Sequence, residues 1–405
     1  MSFSSYRAHW QQLNDWLLAH RALWQTAPFT EPDPGWTDQW PELARHLADF
    51  SDDACQRFEQ TPLALVHSVA DWLPSLREMA RLTAVPEFTD TAGARSCTLP
   101  ETSARDMPGR KRLQSGAFVA ALRPLTAPVI DWCCGKGHLA RTFLPFCDFP
   151  VAGFEWDPAL VEDGNRLARK AGDSVTVHCQ NVMAENLTMP ADTHGVALHA
   201  CGDLHRKLIG QAGRQKLSRL SVAPCCFHKS ASLDYQPLSQ AAQQWQGALK
   251  LTTDDLKLAV EETVTAPTRV RRQVKTFSQW RLGFDGLQRA LRQTDEYLPV
   301  PSHPGWVARG DFKQFCQWAA DRKQLTLPQQ TDYLAWEAHG VRRLGQVRRY
   351  ELVRHLFRRP LELWLVLDYA VFLEEQDFSV RLGTFCERDL TPRNLLIDST
   401  RKGLR

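Results

Sequence analysis

From Val129 to Cys226 short apolar runs alternate with amphipathic stretches, and this rhythm limits the fold more than any other feature of the chain. "PVIDW", "PVAGFEW", "SVTVHCQ", "GVALHAC" and "LSRLSVAPCC" read as five strands. Between them "GHLARTFLPF", "PALVEDGNRLARKAG" and "DLHRKLIGQAGRQ" place apolar residues at helical spacing. Strands alternating with helices predict a parallel sheet covered by helices. Near the C-terminus the helical run "RRYELVRHLFRRPLELWLVLDYAVFLEEQ" precedes two further strand-like runs, "FSVRLGTFC" and "NLLIDST". Pro360 lies inside that helical run, which predicts a kink or break there. Five strands, a helix and two closing strands make the element count of a seven-stranded, Rossmann-like α/β sheet.

A chain of 405 residues exceeds one compact domain, so further lobes are expected. Tyr6, Trp10, Leu13, Leu17 and Trp24 recur at helical spacing, and helical patterns continue beyond "TAPFTEPDPGW". Residues 1–100 are therefore expected to form an α-helical N-terminal lobe, with the polar stretch 89–107 as the linker that ends it. Residues 105–230 form the α/β core. Residues 231–345 are a helical, partly basic insertion, and 346–405 return to the sheet. No run is apolar enough to span a bilayer, and the charges and glutamines of the first 24 residues do not read as a signal peptide. Eleven cysteines, an odd number with two adjacent pairs, read as reduced thiols of a cytoplasmic protein rather than a disulfide framework. The formal charge of +3 gives no global field, so any nucleic-acid surface must be local.

The first strand leads into "VIDWCCGKGHLA", a Gly-rich turn opening a helix. A Walker loop needs Gly-Lys-Ser/Thr, but Lys136 is followed by Gly137 and His138. A dinucleotide fingerprint needs a third glycine, and Ala140 stands there at best. What remains is an acid, Asp131, before a turn of Cys133, Cys134, Gly135 and Gly137. That arrangement suits S-adenosylmethionine, which has no phosphates: the acid meets its ammonium and the turn its carboxylate. Glu155, about 20 residues on, sits where an acid takes ribose hydroxyls. Asn181 and Val182 follow the third strand, where they can meet adenine.

"VIDWCCGKGHLA", "LHACGDL" and "APCCFHK" together resemble a methyltransferase-domain superfamily. It includes the glutathione-S-transferase-C-terminal-domain-containing methyltransferase-like proteins and the tRNA acceptor-stem ribose methyltransferases. "DMPGRKR" is similar to the element before their first strand, and "DLTPRNLLIDSTRK" to the tail of the non-tRNA branch. The resemblance covers residues 105–230 and, more loosely, 345–402. It implies a methyltransferase using S-adenosylmethionine and favours RNA, as tRNA or rRNA, as substrate. Cys133 departs from it, standing where the family has glycine; if that position needs positive φ, cysteine costs about 1 kcal/mol or more.

His199, Cys201, Cys225, Cys226 and His228 end the fourth and fifth strands, the edge where open α/β sheets bind ligands. Packing, zinc ligation and catalysis are the competing uses. His199 is assigned to the cofactor pocket. Zinc is set aside and no metal is expected, because adjacent Cys225 and Cys226 on a strand point to opposite faces. Asp203 and His228 are the catalytic candidates, since a hydroxyl acceptor must lose a proton. For substrate contact the candidates are Lys111 and, in the insertion, Arg271, Arg272, Lys275 and Trp280. Arg269, Arg281, Arg289, Arg292, Phe277 and Phe284 surround these last four, a mixture of charge and rings that suits RNA. Arg342, Arg343, Arg348 and Arg349 make a second basic run. Two rivals stay open: a protein or small-molecule methyltransferase, and a non-catalytic RNA- or ribosome-binding adaptor with a degenerate cofactor pocket.

Overall fold

The structure, a computed structural model, describes residues 4–89, 91–104, 106–261 and 268–403. Its strands are β1 (Val129–Trp132), β2 (Val151–Glu155), β3 (Val175–Cys179), β4 (His194–Cys201), β5 (Arg219–Cys225), β6 (Phe378–Thr384) and β7 (Leu395–Arg401). The principal helices are α1 (Tyr6–Ala19), α2 (Gly109–Leu122), α3 (His138–Phe143), α4 (Pro158–Ala171), α5 (Asp203–Ala212), α6 (Thr268–Arg292), α7 (Phe312–Lys323), α8 (Tyr333–His355) and α9 (Arg358–Glu375). The strands form one sheet in the order β3-β2-β1-β4-β5-β7-β6. β1 to β5 pair in parallel, while β7 runs antiparallel between β5 and β6. The seven-stranded α/β reading of the sequence is what the chain folds into.

Burial explains the central strands. Every residue of β1 and β5 is buried, as expected of parallel strands covered on both faces. Local signals fix the helices between them. For α4, Asp157 caps the first turn by accepting from Ala159 N, Pro158 starts the helix, and Gly172 ends it in the left-handed conformation. Beside β1, Phe118 of α2 packs with Phe143 of α3 and Phe385.

α9 is buried on nearly all sides, which makes it a core helix rather than a surface one. Its Asp368 accepts from Tyr235 Oη (2.6 Å), Leu238 N (2.8 Å), Ser239 N (3.0 Å) and Ser239 Oγ (2.6 Å). That network holds the segment after β5. In the sheet, buried Asp398 of β7 accepts from Arg219 Nε and Nη2 (2.8 and 3.0 Å) and Ser221 Oγ (2.7 Å) and pairs with Arg381. Despite burial, these partners hold the Asp398 carboxyl down at about 2. The helical run expected to break at Pro360 does so: α8 ends at His355, and Pro360 lies in the first turn of α9, where its missing N–H costs least.

The compact units divide the chain at other points than the sequence suggested. One compact unit comprises Met1–Ala19, Arg81–Thr265 and Arg358–Arg405; the other comprises His20–Ala80 and Ala266–Phe357. The N-terminal lobe is thus not one body. α1 belongs with the sheet: Trp10 lies 5.5 Å from Trp364 of α9, and Tyr6 Oη accepts from Leu382 N at 3.0 Å. The insertion divides as well, with 230–265 in the unit that holds the sheet. The stretch 89–107 is no free linker either. Cys97 is buried in the main core, and Leu99, Ala104 and Met107 form a small cluster of their own. Its few large apolar residues are buried, which a composition average hides. The second unit is helical, with Trp280, Phe284, Phe315 and Trp318 at its centre. Among the described residues no helix is long and apolar enough to cross a membrane.

Candidate active site

The turn after β1 makes demands on the backbone at three alternate positions. Cys133, Gly135 and Gly137 adopt φ of +58°, +57° and +69°. The left-handed region disfavours side chains, so Cys133 is held there by its surroundings. Cys134 N donates to Phe154 O and Gly137 N to Cys134 O, each at 3.0 Å. Cys134 Sγ lies over Gly153, where a Cβ would come within 2.5 Å of it. At Gly135 a Cβ would meet nothing within 4 Å. The glycine therefore faces open space, where a ligand can reach the backbone. Burial, with the charges of Glu155 and Asp131, pushes the Cys133 thiol up to about 12.

Two carboxylates converge on this turn. Glu155 Oε2 accepts from Gly135 N (2.9 Å), and Oε1 from Trp156 N (3.0 Å) and Asp157 N (3.1 Å). Asp131 Oδ2 accepts from Ala140 N of α3 at 3.1 Å. Asp131 is only 2% exposed; burial, aided by the charge of Glu155, pushes it up to about 7. At the next strand end Gln180 N donates to Glu155 O (2.7 Å), Asn181 Oδ1 accepts from Met183 N (3.0 Å), and Val182 is buried. Asp131, Glu155 and Asn181 thus follow one another along a single sheet edge. Sequence reasoning passed over two neighbours, Trp156 and Met183, whose large side chains are 73% and 43% exposed. An aromatic directly after a strand-end acid was the available signal.

The chemistry of this edge discriminates between ligands. Two carboxylates repel a phosphate and attract a cation, and carboxylate oxygens accept from hydroxyls. S-adenosylmethionine, with an ammonium, a sulfonium and a ribose diol, fits the acceptors present.

On the other side of β1, β4 ends irregularly. Its register shifts between Leu198 and Cys201, and His199 takes φ +63°. His199 Nε2 bonds Gln114 Oε1 (3.3 Å), and Gln114 Nε2 donates to Leu390 O (2.9 Å). Buried Gln114 therefore ties α2, β4 and the segment before β7 together. Burial, then the charges of Arg393, Lys111 and Arg110, push His199 down to about 4, so the ring is neutral at physiological pH. Gly202 N donates to Cys225 O and Asp203 N to Lys229 O, both at 3.1 Å. Asp203 Oδ2 accepts from Ala231 N at 2.8 Å. Asp203, Arg206, Phe227, Ser230, Tyr235 and Leu256 are among the residues lining a pocket of about 240 Å³. The Nδ1 atoms of His138 and His228 are buried without a hydrogen-bond partner among the described residues. For His138, burial and the charges of Arg141, Lys111 and Lys136 push the ring down to about 4.

The expectation that Cys225 and Cys226 diverge is wrong. β5 stops at Cys225 and Cys226 turns to φ +47°, so the strand alternation that separates neighbours no longer applies. The Sγ atoms of Cys201, Cys225 and Cys226 all lie within 4.8 Å of one another.

The basic run of the insertion divides along α6. Arg269, Arg271, Arg272 and Lys275 are exposed. Trp280, expected to meet substrate, is only 7% exposed and donates to Glu337 Oε1 at 3.1 Å. Phe284 is fully buried. Residues 280, 284 and 287 share one helical face, and that face is the core of the second unit. Arg289 pairs with Asp285 (2.9 Å) and donates to Thr30 O (2.8 Å), and Arg292 donates to Gln288 Oε1 (2.8 Å). The second run is largely structural too: Arg343 donates to Pro28 O (2.9 Å), Arg348 pairs with Glu59 (2.7 Å) and Arg349 donates to Phe50 O (2.9 Å). In exchange the sheet edge gains two cations that spacing did not reveal, Arg110 and Arg393, beside the expected Lys111.

Residues 119–232 match the family model described as a methyltransferase domain. Among solved structures, the chain is similar to a geranyl diphosphate methyltransferase in complex with GPP and sinefungin, at 22% identity over 28% of this chain and 44% of that one, TM-score 0.24. It is also similar to the geranyl diphosphate C-methyltransferase of Streptomyces coelicolor (18% identity, 37% of this chain, 64% of that one, TM-score 0.24). A third similarity is to the 16S rRNA methylase RmtB (17% identity, 55% of this chain, 84% of that one, TM-score 0.22). The chain spans less than two thirds of the first two proteins. The residues that match the methyltransferase-domain model are those that build the parallel strands and the site described above.

Proposed function

We propose that this protein methylates RNA, either tRNA or rRNA, and that within its superfamily it stands with the two groups named above. When bound, S-adenosylmethionine supplies a methyl group already activated on a sulfonium. Asp131 takes the ammonium, Glu155 the ribose hydroxyls, and Asn181 and Val182 the adenine. Cys133, Cys134, Gly135, Gly137 and His199 form the wall around it. The remaining demands are alignment of the acceptor and removal of one proton. Asp203 and His228, at the adjoining strand ends, are the groups that can take that proton.

The observation that carries the RNA reading is the cationic rim of this same edge. The charges of Arg110, Lys111 and Arg393 all act on His199, and in this reading they attract the phosphates of the acceptor. The first turns of α6 support it. They place Arg269, Arg271, Arg272 and Lys275 at a helix N-terminus with no acid in the first turn, an arrangement the helix dipole disfavours. A polyanion offsets that cost.

The test is transfer of a labelled methyl group from S-adenosylmethionine to material from a strain lacking the gene. Label is expected in an RNase-sensitive fraction. Joint replacement of Arg110, Lys111 and Arg393 by alanine should weaken RNA binding and flatten its salt dependence by about 2 in log–log slope, at roughly 0.7 per phosphate contact. Label found in protein or solvent-extractable material would refute the RNA reading, and its absence from every fraction would favour the adaptor.

A further inference from the structure

We propose that Cys201, Cys225 and Cys226 form a zinc site joining the ends of β4 and β5. Three local features bring the thiols together. The register shift in β4 swings Cys201 towards β5, where it faces Cys225 across the ladder. β5 ends at Cys225, and the positive φ of Cys226 folds the next side chain back over the same edge. Gly202 lets the segment around Lys229 approach: its N donates to Cys225 O, and Asp203 N to Lys229 O.

The sulfur separations are close to those that zinc requires. Zinc binds thiolate sulfur at about 2.3 Å in tetrahedral geometry, which sets sulfur–sulfur separations near about 3.8 Å. Cys201 Sγ and Cys225 Sγ lie 3.8 Å apart. With all three sulfurs inside 4.8 Å, closing the site asks for movements below about 1 Å. Three thiolates are a soft donor set, which selects zinc over magnesium or calcium. The three thiols supply three of the four positions that zinc takes, and water can fill the fourth. Binding displaces the thiol protons to solvent and changes no oxidation state.

The full-length protein, purified under reducing conditions and dialysed against zinc and then a weak chelator, should retain about one zinc per chain. Cys201→Ser and Cys226→Ser should lose it, while Cys316→Ser, buried in the other unit, should keep it. Cobalt in place of zinc should give the intense thiolate-to-cobalt absorption. Should a serine variant fail to fold, the wild-type chain decides by itself: zinc should protect Cys201, Cys225 and Cys226 from alkylation, read by peptide mass spectrometry. No retained zinc in the wild-type chain, no cobalt–thiolate band, or equal alkylation with and without zinc overturns the site.

Discussion

Gly202→Ala is expected to cost most of the stability of the methyltransferase domain. A Cβ on Gly202 would sit 1.8 Å from Lys229 O and 2.6 Å from Lys229 C. Both are backbone atoms, and Lys229 O already accepts from Asp203 N, so no flexible side chain can move aside. The backbone there, φ +54° and ψ −122°, is also one that side chains avoid. Overpacking and backbone strain each cost about 1–3 kcal/mol, and together they should lower the urea midpoint well beyond the effect of a typical substitution. Gly210→Ala is the control. It lies inside α5 with nothing within 4 Å of the added carbon, so helix propensity should leave the protein equal or up to about 1 kcal/mol more stable. Equal midpoints for Gly202→Ala and the wild-type chain would mean that the β4–β5 edge is not built as described.

Glu155→Ala is expected to remove cofactor binding with a smaller loss of fold. Glu155 satisfies the N–H groups of Gly135, Trp156 and Asp157 at a site only 6% exposed. Alanine leaves those donors to water or to nothing, at about 1–3 kcal/mol for each that stays buried. It also removes the acceptor assigned to the ribose hydroxyls. Affinity for S-adenosylmethionine should fall at least about 100-fold, equivalent to about 2.7 kcal/mol. Glu155→Gln keeps one acceptor oxygen but presents an amide donor to the others, so its loss should be intermediate. Affinity within twofold of wild type in the alanine variant would sever Glu155 from the cofactor.

The sheet was legible in the chain because its signals are local. Apolar runs such as "VIDW" and "RLSVAPC" are buried throughout, and strand-end acids fall at fixed offsets from a Gly-rich turn. Pro360 marked the helix break for the same reason. What escaped notice depends on long-range packing. Nothing local says that Trp10 packs on Trp364, or that residues 20–80 join 266–357. The insertion misled because Arg and aromatic residues alternate in sequence while a helix sorts them by face: Trp280 and Phe284 point inward, and Arg271 and Lys275 are exposed. The cysteine cluster escaped because a strand was assumed to continue through Cys226, where a left-handed residue ends it.

The claim on which the rest depends is that one sheet edge, with Asp131 and Glu155 at its centre, holds a cationic nucleoside. Calorimetric titration of the purified chain with S-adenosylmethionine at pH 8 and pH 6 tests it most directly. Asp131 is pushed up to about 7 by burial, so it is mostly ionised at pH 8 and mostly protonated at pH 6. Only the ionised form attracts the ammonium, and linkage then weakens binding about tenfold at the lower pH. One site per chain with that loss is the expected result. A folded chain that takes up no S-adenosylmethionine at either pH, or binds it more tightly at pH 6, would contradict it.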